Sequence, residues 1–244
     1  MIARLIWFAG MLGLAVLTTL LQIDRQSDLT PSLASLVPAP LRSEAQVQIA
    51  AGAVEGTDSQ RGLEEARRLV MKRPVPAEHL TLLAMAQTKA GELEQAGVTI
   101  QIAGQRGWRE PLAQEAVLRI ALQAGDKAEA ARRYAALFLR SATPDDLLRE
   151  LGPTVLDEPD GPGQSTLVDI ISGTDRWNAT FLRRGARVMP TTAFADIAAA
   201  TLKRGARYDC AVLEQSIKEA ERSEPAAAQR LRDAAIGLCP KLKS

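Results

Sequence analysis

The chain has 244 residues, of which 46% are apolar and 24% charged. That balance excludes disorder over most of the length. A formal charge of +1 excludes a general polyanion binder, and 4% aromatic content leaves a core of Ala and Leu rather than the Val-, Ile-, Tyr- and Thr-rich core of a β-sandwich. Arginine (23) far outnumbers lysine (7), and with the abundant Ala this looks like the product of a GC-rich bacterial genome.

Leu5 to Leu21 is a run of 17 residues without a charge, and extension through Ile23 makes it 19. At the α-helical rise such a run spans about 28 Å, close to a hydrocarbon core. A cleavable signal peptide has a shorter apolar region that ends in a small-x-small site, and Leu20, Leu21, Gln22 and Ile23 offer none. The alternatives are a cleaved signal and a buried soluble helix; the reading adopted is an uncleaved anchor over residues 1–23. Arg4 and the α-amino group precede the run, and Arg25 follows it between Asp24 and Asp28. The amino group tips this near-tie towards an inside N-terminus. The expected location is a bacterial inner membrane, crossed once, with the main domain in the periplasm. Residues 24–42 hold Pro31, Pro38 and Pro40 among Ser, Thr and Asp, which predicts an extended linker.

From Ser43 three windows of 34 residues can be laid down. The clearest is 77–110, with Leu80, Leu83, Ala84 and Ala86 on a first helix, a turn at Gly91-Glu92, and Ala96, Ile100 and Ala103 on a second. Window 111–144 repeats this with Val117, Leu118, Ala121, Gly125-Asp126, Ala130, Tyr134 and Leu137. Window 43–76 is degraded. It keeps Ile49, Ala50, Ala66, Leu69 and Pro74, but turns at Thr57-Asp58. A fixed period of this length signals a repeat array, which is usually a binding surface.

On Ala84, Ala96, Ala103, Ala130, Gly91, Gly125 and Pro74, residues 43–144 resemble the tetratricopeptide repeat family. The early aromatic of that family is missing, with Leu80 and Gln114 in its place, and Trp108 stands where Pro is expected. The resemblance implies an all-α fold of antiparallel helical hairpins stacked as a solenoid, here preceded by one transmembrane helix. It also implies a peptide groove lined by the first helix of each repeat. Carried over by position, the lining is Glu78, Thr81, Met85, Thr88 and Lys89, then Leu112, Glu115, Arg119, Leu122 and Gln123. The competing reading is a solvated helix face, or one filled by another helix of this chain. The basic clamp used on terminal carboxylates is not evident, since Thr81 and Met85 carry no charge.

In 145–244 helical patterning continues but the 34-residue period is lost. A loop is predicted over Glu158-Pro-Asp-Gly-Pro-Gly163, followed by helices over 165–171, 177–184, 191–204, 209–223 and 225–238. Leu182-Arg-Arg-Gly-Ala-Arg187 is echoed by Leu202-Lys-Arg-Gly-Ala-Arg207. Two helix C-termini with Gly185 and Gly205 as left-handed caps account for both, rather than a patch for anionic polysaccharide, lipid or nucleic acid. No interleaved aromatics support nucleic acid.

Cys210 and Cys239 lie about equally far from a turn near Ser223–Pro225. On an antiparallel hairpin the stripe Cys210, Leu213, Ile217, Ala220 faces Ala228, Leu231, Ala235, Cys239. This predicts a disulfide, with two buried thiols as the alternative. His79 is the sole histidine and opens a repeat helix, where a surface or capping role is expected. Without Cys-x-x-Cys, a Gly-x-Ser-x-Gly or a phosphate-cradling loop, neither metal nor cofactor nor enzymatic activity is expected. Glu64-Glu65 and Asp145-Asp146 read as solvated helix faces, and Asn178-Ala-Thr180 as a chance glycosylation motif. The expected role is binding of a protein or peptide partner, as an adaptor or envelope assembly factor. The alternative is an enzyme or accessory subunit acting on envelope polysaccharide.

Overall fold

The computed structural model describes residues 2–243. Among them the chain is all helical and carries no strand. The first helix, α1 (Ile2–Gln26), is long and apolar enough to cross a membrane, and none of its apolar window is buried against the rest of the protein. The chain divides into two compact units, Met1–Gly107 and Trp108–Ser244. The division falls inside the predicted repeat region 43–144, so the third window groups with the C-terminal helices.

In the first unit α2 (Glu44–Glu55) pairs with α3 (Ser59–Lys72), and α4 (Ala77–Lys89) with α5 (Leu93–Arg106), while α3 and α2 both pack on α4. Asp58 caps α3 by accepting from the Arg61 N–H at 3.0 Å, an arrangement typically worth about 1 kcal/mol. At the α4–α5 turn Gly91 has φ +82°, which lets Glu92 N–H return to Gln87 O at 2.8 Å. The core is small-residue: Val54, Leu63, Ala66 and Ala86 are buried, with Leu82 and Leu83 packed against them.

The expected extended linker is instead folded. Two 3-10 turns, Pro31–Leu36 and Ala39–Leu41, pack against the end of α1. Ala34 and Val37 are buried with Ala45, alongside Ile23, Leu41 and Ile49. Asp24 is the clasp. Its carboxylate accepts from the N–H groups of Ser43 (2.8 Å), Glu44 (3.2 Å) and Ala45 (3.0 Å) at the start of α2. A carboxylate there meets both the orphan N–H groups and the positive end of the helix dipole. Composition suggested a spacer because three prolines break α-helix, but proline fits the first turn of a 3-10 helix.

The second unit holds α6 (Pro111–Gln123), α7 (Lys127–Phe138), α8 (Asp145–Val155), α9 (Pro162–Ser172), α10 (Asn178–Val188), α11 (Thr191–Lys203), α12 (Cys210–Ser223) and α13 (Pro225–Ala235). Helix α6 pairs with α7, and Gly125 (φ +73°) makes their turn. Beyond α7 the helices form two rows. Helices α7, α9, α11 and α13 each pack on the next, as do α8, α10 and α12. Tyr134, Phe138, Phe181 and Phe194 are the largest side chains buried between them. Phe181 and Phe194 lie with centroids 5.4 Å apart.

Three expectations change here. The 34-residue rhythm persists in the helices after it fades from the residues: α2, α4, α6, α8, α10 and α12 begin at Glu44, Ala77, Pro111, Asp145, Asn178 and Cys210, at intervals of 32–34. Gly185 is not a left-handed cap. It lies inside α10, where a Cβ would come within 2.9 Å of Phe194 Cδ2, so the glycine serves close packing. Gly205 (φ +89°) does cap α11. The predicted 158–163 loop ends two residues early, because Pro162 is compatible with the first turn of α9.

Candidate functional site

The residues assigned to a groove have unequal standing. On α4, Glu78, Met85 and Thr88 are exposed, and Thr88 turns its hydroxyl onto Ala84 O at 2.9 Å. Thr81 cannot line a groove: it is 4% exposed and donates to Ala77 O. The expectation failed because α4 is enclosed by α2, α3 and α5 over more of its circumference than the stripe of Leu80, Leu83, Ala84 and Ala86 suggests. Lys89 directs its ammonium at the Val54 and Glu55 carbonyls, capping the C-terminal end of α2. On α6, Leu112 and Gln123 are exposed, whereas Leu122 is half-buried against the core. Arg119 bridges Glu115 and Glu150, both at 2.9 Å, and those hydrogen bonds raise its pKa above the ordinary value.

A concavity lies within the second unit. It is a cleft of about 840 Å³ between the end of α8, the 156–160 loop, α11 and α13. Its lining includes Ala193, Ala199, Ala200 and Ala234, so the backbones of α11 and α13 are within reach of a guest. Charged side chains stand among them. Asp157 pairs with Lys127 (2.8 Å) and Asp196 with Arg230 (3.2 Å). Asp160 and Lys203 form no ion pair with any described residue, leaving one charge of each sign for a ligand. Asp160 also has φ +57°. Among the described residues no group of three His, Cys, Asp or Glu side chains could hold a metal ion.

Sequence reasoning missed this cleft. The available signal was Ala198-Ala199-Ala200, which supplies both a buried face and an open one on α11. Its concavity comes from packing α11 between α9 and α13, which no local pattern encodes.

The paired Arg-Gly-Ala-Arg segments are not equivalent. Arg184 is buried and donates to Phe138 O (2.6 Å), Arg140 O (2.8 Å), Thr143 O and Asp145 Oδ1 (2.9 Å). It ties the end of α7 to the start of α8 and is closed to a ligand. Asp145 is therefore a half-buried partner rather than a solvated face. Arg204 is exposed and pairs with Asp169. Glu65 likewise accepts from Gln46 (2.7 Å) and Arg68 (2.6 Å), while Glu64 is solvated as expected. His79 is buried rather than superficial, with Nδ1 2.9 Å from Arg73 O at the end of α3, so only the capping part of its expected role stands. Asn178 is buried too and donates to Arg207 O (2.9 Å), which closes it to glycosylation.

Cys210 and Cys239 are joined, with Cα atoms 5.7 Å apart. The bridge ties the start of α12 to the segment after α13, as the facing stripes required. The chain matches no family model, no curated protein and no solved structure.

Proposed function

We propose that this chain is a single-pass protein of a bacterial inner membrane whose periplasmic helices stack as a tetratricopeptide-like solenoid and bind an extended segment of a partner protein. Its role is that of an adaptor or envelope assembly factor; any chemistry belongs to the partner. The observation that carries the reading is the regular helix alternation, with its 32–34-residue interval kept from α2 to α12, combined with an open trough between α8, α11 and α13. Stacked helical pairs of near-constant length build extended concave surfaces. The disulfide supports an oxidising compartment. The long α1, without a small-x-small end, supports an anchor.

The test is affinity capture of the full chain from detergent-solubilised membranes, with Ala199→Trp to fill the trough. The expected result is a partner retained across several salt concentrations and lost in the variant, whose thermal midpoint stays near that of the parent. Recovery no better than control would overturn the reading, as would retention indifferent to both Ala199→Trp and Lys203→Glu.

A further inference from the structure

The first unit has a distinct end at α1. The Asp24 clasp sets the start of α2 against α1, and the antiparallel hairpins return the ends of α3 and α5 to the same level. Three contacts fix that level. Lys72 Nζ donates to Ala39 O (2.6 Å), Arg73 pairs with Glu44 (2.7 Å), and Arg106 Nη1 donates to Pro74 O (2.9 Å). Large apolar side chains are exposed on the segments that meet here. Leu29 is 78% exposed, Leu36 61%, Met71 77% and Val75 79%. Arg25, Lys72 and Arg106 are exposed on the same segments, as are Asp28 and Glu78.

What covers this end follows from where the apolar run stops. Leu20 and Ile23 are already half-buried, so the folded unit starts within the last turns of the run and leaves no free linker. One helical turn is about 5 Å, so the end face lies within one or two turns of the hydrocarbon boundary. We infer that this face, with Leu29, Leu36, Met71 and Val75 at the headgroup level and the basic side chains against lipid phosphates, rests on the bilayer that α1 crosses. Apolar side chains shallowly buried in the interface, flanked by cations that meet anionic lipid, form a recognised mode of surface attachment. The inference rests on the membrane reading of α1. Its consequence is a domain held at a fixed height and tilt instead of one free on a tether.

The full chain, with its disulfide intact, is reconstituted in vesicles of phosphatidylcholine and phosphatidylglycerol. An environment-sensitive fluorophore is attached through single substitutions Met71→Cys, Val75→Cys, Glu94→Cys at the opposite end, and Gly13→Cys within α1. Lipids brominated high on the acyl chain should quench the labels at 71 and 75 and spare the one at 94. Lipids brominated deep should quench the label at 13. In a second arm, Met71→Glu with Val75→Glu should reduce shallow quenching of a label placed by Leu29→Cys. Quenching at 71 and 75 no greater than at 94, with 13 still quenched, would refute the docking and leave the anchor standing. An unquenched label at 13 would refute the anchor itself, and the docking with it.

Discussion

Arg184 offers the sharpest test of how the second unit is held together. Its guanidinium serves four acceptors from a site only 8% exposed: three carbonyls around the end of α7 and the Asp145 carboxylate. Its carbon also lies 5.7 Å from the centroid of the Phe138 ring. Arg184→Leu keeps most of the packing volume and removes every donor. Breaking a buried charge pair by deleting one partner costs about 3–5 kcal/mol. Asp145 is partly solvated and keeps Arg187 at 3.9 Å, which discounts its share. The abandoned carbonyls add back about 1 kcal/mol or more each where water cannot reach them. The expected loss is about 4 kcal/mol, a fall in midpoint on the order of 10 °C for a unit of this size. Arg184→Lys should recover part of it, since an ammonium keeps the charge but not the planar fork. Arg204→Leu, at the echoed position, should cost under about 1 kcal/mol because its ion pair is exposed. Urea unfolding of the full chain in detergent, followed by circular dichroism, measures all three. Arg184→Leu within about 1 kcal/mol of the parent would refute the assignment of Arg184 as the tie between α7 and α8.

Asp24→Ala should lower stability by about 1–2 kcal/mol through loss of the α2 cap, and proteolysis near residues 27–42 should accelerate. Gly163→Ala should destabilise by about 3 kcal/mol, since a Cβ there overlaps the Val155 carbonyl oxygen, whereas Gly52→Ala, with nothing within 4 Å, should be neutral or better. Replacing both cysteines by serine should cost about 3 kcal/mol and make the thermal midpoint insensitive to reductant; an unchanged midpoint would deny the bridge a stabilising role. Burial raises the pKa of both phenols, that of Tyr208 from 10.0 to about 12 despite its hydrogen bond with Thr201, and that of Tyr134 further. Each raised value contributes stability that is fully present below pH 10 and lost as pH climbs towards the folded value. Tyrosinate absorbance should therefore lag in the native chain between pH 10 and about 12 and rise with unfolding; titration near 10 without loss of helix would contradict the burial.

The helices and their turns were legible in the sequence because their causes are local. Gly91 and Gly125 mark turns by a backbone angle that other residues resist, and Asp58, Asp126 and Asp209 accept from the N–H groups of the first helical turn. The cysteine pairing was readable for a related reason: α12 and α13 form a short hairpin, so counting from the turn gives the facing stripes. What each exposed or buried position does was not readable. Arg184 and Arg204 sit in matching hexapeptides, yet one is enclosed by carbonyls 41–46 residues away and the other is solvated. Thr81 looked like a groove residue until its neighbours enclosed it, and residues 24–42 looked like a spacer until Asp24 reached across 19–21 residues to cap α2. The cleft over α11 exists only because helices distant in sequence pack around it and leave some of its alanines uncovered. Capping and turn preference act over a few residues and are written locally. Burial, concavity and the choice of partner for a charge depend on which distant segments arrive beside it, and packing decides that.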